Sequence, residues 1–269
     1  TRLNTLHIAY IHSPMRFVWD YNEKYLKEER QTKWNFLARP ILNYIRLWDY
    51  LAADRPDYLI ANSQYTQERI KKYYRKESKI IYPPCSIKGK TVSILKTNSS
   101  KPFKRYFLIV SRLSAYKNIE IVVKAFNRLQ LPLVIAGEGK ESRRLKKIAK
   151  KNVKFIGWVA EDKLVQLYLG ARAFIFPSLD DFGIAPVEAM GWGVPVLALK
   201  KGGAKEIVEE GKTGEFFKTA EAKAIMETLK KFMQNEDKYD KNYIRQSAQK
   251  FNSERFKKEL THFIENLYN

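Results

Sequence analysis

The chain has 269 residues, 45% hydrophobic and 29% charged, with 50 Lys+Arg against 29 Asp+Glu and a formal net charge of +21. That length holds one large or two small domains, and the composition is globular rather than disordered. A single cysteine, Cys85, excludes an intramolecular disulfide framework and a multi-thiolate metal site, while three histidines (His7, His12, His262) leave little for metal chemistry. No apolar run reaches the roughly 18 to 20 residues of a membrane span and no secretory signal is read, so a soluble cytoplasmic protein is expected. The positive excess is dispersed: +6 over residues 1–84, +5 over 85–104, +7 over 105–216 and +3 over 217–269. This suits a solvated lysine-rich surface, or attraction to nucleic acid, nucleotide substrates or an anionic membrane face.

In chain order, the apolar run 6–11 reads as a buried strand that ends in His12-Ser13-Pro14. Residues 22–53 read as polar, aromatic and helical, and 57–61 as a second strand. A basic amphipathic helix is expected over 66–76, and the Pro83-Pro84 pair stops regular structure after Ile80-Ile81-Tyr82. Residues 85–104, rich in Ser, Lys and Asn, are read as an interdomain linker. Beyond it the rhythm is regular. Apolar runs at 106–110, 132–136, 153–156, 173–176 and 195–199 alternate with helical segments, among them 118–129, 141–150, 161–169 and 204–210. Five short strands alternating with helices predict an α/β fold with a parallel sheet covered on both faces. From residue 219 the chain reads as mostly helical.

Ligands of such sheets sit at the carboxyl ends of the strands, so the strand-to-helix turns carry the candidates. Arg112 and Lys117, five positions apart in the loop after the 106–110 strand, suit a diphosphate clamp, although on their own they also read as surface cations. Gly137-Glu138-Gly139 follows the next strand and lets backbone approach a ligand, or is simply a tight turn. In 177–195, Asp180 and Glu188 span a loop and a helix start marked by Pro186. One carboxylate could grip a sugar hydroxyl and the other a ribose. The competing reading of Asp180-Asp181 is an acidic helix cap, and a metal site lacks a third ligand. His12, followed by Met15 and Arg16, stands at the end of the first strand, where a lone His more often has a structural role.

Together these segments resemble the family 4 retaining glycosyltransferases of GT-B fold, which have two Rossmann-like domains facing across a cleft. The resemblance rests on YIHSPMRFVWD (10–20), ANSQYT (61–66), IIYPP (80–84), VSRLSAYKN (110–118), IAGEGKE (135–141), VKFIGWV (153–159), FPSLDDFGIAPVEAMGWGVPVLAL (176–199) and GGAKEIVEEGKTGEFF (202–217). It covers nearly the whole chain, and the forms are most similar to mannosyltransferases of surface-polysaccharide assembly. It implies a partial acceptor-side domain over 1–84, a linker over 85–104 and a donor-binding domain over 105–218. Helices over 219–269 would follow, the last packing back toward the first domain.

The resemblance also implies roles. Arg112 and Lys117 would neutralise the donor diphosphate, stabilising charge on the leaving group. Asp180 would sit by the transferred sugar, where the family usually has Glu, and Glu188 would accept from the ribose hydroxyls. Gly137, Phe182, Gly183, Ile184 and Ala185 would line the donor, with Trp158 beside the nucleobase. His12 would approach the donor sugar, and Met15 and Arg16 the acceptor. No metal and no cofactor besides the nucleotide-sugar substrate is implied, and front-face attack needs no dedicated nucleophile. The family normally opens with further β-α units, so the acceptor half is expected to be truncated by about 80 to 100 residues.

The expected activity is transfer of mannose from GDP-mannose to a glycan or lipid-linked glycan, by an enzyme peripheral on the inner face of the cell membrane, met there by the basic helix over 66–76 with Arg69, Lys71, Lys72, Arg75 and Lys76. The alternatives are a UDP- or ADP-sugar donor on the same fold, or a non-catalytic nucleotide-sugar-binding relic. Nucleic acid is not an expected partner: charge and 13% aromatics favour it, but no recognition motif is present.

Overall fold

The computed structural model describes residues 4–20, 35–85 and 105–267, with side chains of 35–38 excepted. The chain divides into two compact units, Thr1–Tyr82 and Pro83–Asn269.

In the first unit, strands β1 (Ile8–Ile11), β2 (Tyr58–Ala61) and β3 (Lys79–Ile80) form a parallel sheet in the order β1-β2-β3. The one-turn helix α1 (Arg16–Trp19) and helix α2 (Asn35–Ala52) connect β1 to β2, and α3 (Gln64–Tyr74) connects β2 to β3. Of the helix expected over 22–53, residues 22–34 lie outside the described residues. Helix α3 starts earlier than expected because Ser63 caps it, its Oγ accepting from the Thr66 N–H at 2.9 Å. It stops at Tyr74 because Arg75 turns left-handed, with φ 55°. The unit packs Ala53, Leu59, Ala61, Ile70 and Tyr74 together. Buried Asp49 ties α1 and α3 to α2, accepting from Trp19 Nε1 at 2.7 Å and from the Tyr74 hydroxyl at 2.8 Å.

The basic face expected on α3 needs correcting at Arg69. This side chain is only 4% exposed and pairs with Asp20 at 2.5 Å. Its guanidinium also donates to Ser13 Oγ at 2.9 Å and to the Pro14 carbonyl at 3.0 Å. Arg69 is therefore an internal strut for the His12-to-Pro14 loop and not a surface cation. Lys71 and Lys76 are partnered by Glu77 and Asp54 at 2.9 and 2.8 Å.

The second unit carries a six-stranded, wholly parallel sheet. Its strands are β4 (Tyr106–Val110), β5 (Leu133–Ala136), β6 (Val153–Gly157), β7 (Ala171–Phe176), β8 (Val196–Leu199) and β9 (Gly214–Phe217), in the order β6-β5-β4-β7-β8-β9. Strands β5 and β8 are buried along their whole length, as strands covered on both faces must be. Helix α4 (Ile119–Leu129) buries Ile119, Val122, Val123 and Phe126 against the sheet, with Phe126 edge-on to Phe107 at 5.3 Å. Helices α5 (Ser142–Ile148), α6 (Glu161–Gly170), α7 (Ile184–Gly191) and the single turn α8 (Ala204–Ile207) follow successive strands, and α9 (Ala222–Gln234), α10 (Lys241–Ala248) and α11 (Ser253–Glu265) close the unit.

The sixth strand, β9, was not among the five expected. Its Gly-Glu-Phe-Phe sequence holds a charge, Glu215, that is 2% exposed, so no apolar run announces it. The carboxylate is satisfied by Lys231 at 2.5 Å and by the Tyr239 hydroxyl at 2.7 Å, both from the C-terminal helical region. Cys85, the first residue of the stretch read as linker, is buried in this unit: its N–H donates to the Phe251 carbonyl at 2.9 Å. Residues 86–104 lie outside the described residues.

Successive strands run outward from β4 to β6 on one side and from β7 to β9 on the other. The switch point of this topology is thus the crevice between the carboxyl ends of β4 and β7, where an open parallel sheet binds its ligand. No helix among the described residues is long and apolar enough to cross a membrane.

Candidate active site

Two loops flank the switch point. After β4 the chain passes Arg112 and a single 3₁₀ turn (Ala115–Lys117), then Asn118, at φ 55°, redirects it into α4. After β7 comes the Pro177-to-Gly183 loop. Lys117 reaches across to Asp180, Nζ to Oδ2 at 2.6 Å, with the two side chains 15% and 19% exposed. The buried Ser178 hydroxyl donates to the same Oδ2 at 3.2 Å, and Asn118 Nδ2 donates to the Pro177 carbonyl at 3.1 Å. Arg112 is exposed, and its guanidinium donates to the Tyr116 hydroxyl at 3.3 Å. The crevice therefore holds one cation braced by a carboxylate and a second turned to solvent.

The glycine loop after β5 has a reason the sequence did not reveal. Gly137 has φ 121°, and a Cβ there would stand 2.0 Å from the Ser111 carbonyl oxygen. The glycine lets the β5 loop lie backbone-to-backbone against the β4 loop, and Leu113 N–H donates to the Glu138 carbonyl at 2.8 Å. The Gly137 N–H donates to the Gly157 carbonyl at 2.7 Å, which ties in the end of β6. A cavity of about 300 Å³ opens here, lined by Leu113, Gly137, Glu138, Lys146, Phe155 and Gly157 among others. It does not include Arg112, Lys117, Asp180 or Glu188; it lies beside them, on the β5–β6 flank of the crevice. Trp158 follows Gly157 with its side chain 74% exposed, and its N–H points to Glu138 Oε1 at 3.4 Å.

Helix α7 begins immediately after Gly183, which has φ 122°, and no side chain caps it. Its first residues, Ile184 and Ala185, carry N–H groups with no intrahelical partner, and Pro186 has none to satisfy. Phe182 is buried, edge-on to Phe251 at 5.2 Å. The loop before α7 rests on Gly203, where a Cβ would lie 2.4 Å from Phe182 Cα; the Gly203 N–H donates to the Asp180 carbonyl at 3.0 Å. One turn into α7, Glu188 accepts from the Tyr168 hydroxyl at 3.1 Å. Burial, above all, holds the Glu188 carboxyl above the usual carboxylate range. Burial and the neighbouring Glu188 charge likewise push the Tyr168 phenol up, and burial pushes the Cys85 thiol up to about 12.

The structure thus brings Arg112, Lys117, Gly137, Trp158, Asp180, Phe182, Gly183, Ile184, Ala185 and Glu188 to one end of the second sheet. His12, Met15 and Arg16 lie in the first unit, at the corresponding end of β1. His12 is exposed, its carbonyl accepting from Asn62 Nδ2 at 2.9 Å and its ring lying 5.2 Å from that of Tyr10. Met15 precedes α1 and Arg16 opens it. Sequence reasoning missed Ser178, Asn118, Gly203 and Tyr168. Asn118, Ser178 and Gly203 stood inside quoted motifs, but Tyr168 reads as any core aromatic of an amphipathic helix. Among the described residues no three His, Cys, Asp or Glu side chains converge as a metal site would require.

A doubly wound parallel sheet whose loops converge in this way, in a chain that also carries a second parallel α/β unit, has the build of GT-B glycosyltransferases. The sequence family described as "Glycosyl transferases group 1" matches residues 93–250, more than half of the chain, and the chain belongs to that family. It is 28% identical over 232 residues to the "Probable sucrose-phosphate synthase" of Thermosipho melanesiensis, covering 77% of this chain and 54% of that protein. It is 24% identical over 255 residues to the O-antigen chain mannosyltransferase C of Escherichia coli, covering 89% of this chain and 66% of that one. The solved structure of Anabaena Alr3699/HepE in complex with UDP-glucose matches with a TM-score of 0.70 at 20% identity, over 96% of this chain and 72% of that one. The chain thus spans roughly half to two thirds of the length of these two curated relatives.

Proposed function

We propose that the chain is the donor-binding part of a retaining glycosyltransferase that transfers mannose from GDP-mannose to a glycan or lipid-linked glycan. The observation that carries this is the Lys117–Asp180 pair at the sheet's switch point, with Arg112 beside it and the uncapped start of α7 in the next loop. A diphosphate is the anion such a crevice suits: Arg112 offers a planar fork, and Lys117, with one of its three hydrogens on Asp180, has two left for phosphate oxygens. The helix N-terminus adds partial positive charge and free N–H donors. As the bond from sugar to phosphate breaks, negative charge grows on the diphosphate, and these fixed cations stabilise it more in the transition state than in the bound donor. Asp180, held by Lys117 and Ser178, is proposed to meet the transferred sugar, and Glu188 the ribose. The roles expected of His12, Met15 and Arg16 rest on the family resemblance alone.

The mannose and guanosine assignment draws on the sequence motifs and on the O-antigen mannosyltransferase likeness; a UDP-sugar donor is the alternative that the HepE likeness favours. Titration calorimetry with GDP, UDP and ADP separates them. Binding of GDP in preference to the others supports the first reading. If no nucleotide binds, or if Arg112→Ala leaves binding unchanged, the proposal fails.

We also propose peripheral contact with an anionic membrane face, carried by α2 and not by α3. Ile41, Tyr44, Leu47, Trp48 and Leu51 of α2 are all exposed, between 46% and 71%, along one face of the helix. Equal partitioning of the wild type and a Tyr44→Ser/Trp48→Ser variant onto anionic liposomes would remove this reading.

A further inference from the structure

Glu188 has one oxygen engaged. Tyr168, near the end of α6, donates its hydroxyl to Oε2 at 3.1 Å, while Oε1 has no partner among the described residues. The Tyr168 ring is 2% exposed and lies 6.1 Å from that of Phe174 in β7, so its hydroxyl is carried on a fixed core side chain. A buried phenol with this single bond is an unusual expense for packing alone, since phenylalanine would fill the same space without a polar atom to satisfy.

We propose that Tyr168 is a positioning residue, fixing the Glu188 carboxylate so that its remaining acceptor sites receive the ribose hydroxyls and the site prefers ribonucleotides to deoxyribonucleotides. This rests on the proposed role of Glu188 at the donor ribose. A cis-diol presents two O–H donors to a carboxylate, and an ionised carboxylate accepts on both oxygens whereas a protonated one has lost acceptor capacity. Keeping Glu188 ionised is the difficulty. Burial opposes it and Glu161 adds like charge, while the Tyr168 hydroxyl is the group that favours the anion. The other neighbour is Cys85, a buried thiol whose own ionisation is opposed by Glu188 and favoured by Arg255. Without the phenolic hydroxyl, Glu188 would swing more freely and hold its proton to higher pH.

The test is titration of the 269-residue chain with GDP and with 2′,3′-dideoxy-GDP, between about pH 5 and about pH 8, for wild type, Tyr168→Phe, Glu188→Gln and the double variant. UDP and dideoxy-UDP serve in parallel. Wild type should prefer the ribonucleotide by roughly tenfold or more, the size expected of hydrogen bonds to a charged group. Tyr168→Phe should reduce that preference several-fold and move the acid limb of ribonucleotide binding to higher pH, with dideoxynucleotide binding unchanged. In the Glu188→Gln background, Tyr168→Phe should change the preference no further, which a merely structural role for Tyr168 would not produce. A Tyr168→Phe variant that keeps both the full ribose preference and the wild-type pH profile overturns the inference and leaves the proposed function standing. Absence of nucleotide binding by the wild type would overturn both.

Discussion

Replacing Asp180 by Asn removes the charge that braces Lys117 and keeps the shape of the side chain. At 2.6 Å and an effective dielectric near 20, the attraction is roughly 6 kcal/mol before desolvation is counted. Both side chains are more than four-fifths buried, so desolvation cancels most of it, and the amide oxygen still accepts from the ammonium. A net loss of about 2 kcal/mol remains, which for a unit of this size lowers the melting temperature by about 4 to 8 °C. The same change weakens the hold on Lys117, whose ammonium can then turn further toward phosphate. Saturating GDP should therefore raise the melting temperature of Asp180→Asn by more than it raises that of the wild type, because a binding site that was partly occupied by its own carboxylate is released. Sugar transfer should fall at the same time, since the group proposed to meet the sugar has lost its charge. Thermal melts with and without GDP decide the matter. An unchanged apo melting temperature, together with an equal or smaller GDP shift, would mean that Asp180 does not compete with the diphosphate for Lys117.

Arg112→Ala should weaken nucleoside diphosphate binding about 10- to 100-fold by calorimetry without altering the melt, because Arg112 is exposed and its hydrogen bond is to Tyr116. Gly203→Ala should displace the Asp180-to-Phe182 loop, since the added Cβ meets Phe182 backbone at 2.4 Å; donor binding is expected to drop sharply, and an unchanged affinity would show that this support is dispensable. Glu188→Gln carries a pH signature. The folded-state pKa of Glu188 lies above the ordinary 4.5, so between the two values the folded chain binds more protons than the unfolded one, and the wild type loses stability as pH rises through that window. The Gln variant lacks this loss, so its melting temperature relative to wild type should climb from acid to neutral pH; a pH-independent difference would contradict the burial of an ionisable Glu188.

Much of the second sheet was legible because parallel strands buried on both faces must be written as apolar runs, and 106–110 and 196–199 are such runs. Strand β9 escaped because its place in the sheet depends on a buried Glu215 whose partners, Lys231 and Tyr239, come from 16 and 24 residues further on. The candidate site shows the same division. Arg112, Lys117, Asp180 and Glu188 were visible as charges in strand-to-helix turns, but the meeting of Lys117 with Asp180 joins residues 63 positions apart and no local pattern records it. Arg69 illustrates the opposite error: in a run of lysines and arginines it reads as one more surface cation, and only Asp20, Ser13 and Pro14, folded onto it from upstream, make it internal. Tyr168 could not have been singled out, since a core aromatic and a positioning hydroxyl occupy the same helical spacing.

The proposed reaction depends on the crevice between β4 and β7 holding a diphosphate. A crystal structure of the chain with bound GDP tests it directly. The diphosphate should lie between Arg112, Lys117 and the first turn of α7, with the ribose against Glu188. GDP bound elsewhere on the chain, with the Lys117–Asp180 crevice untouched, would contradict it.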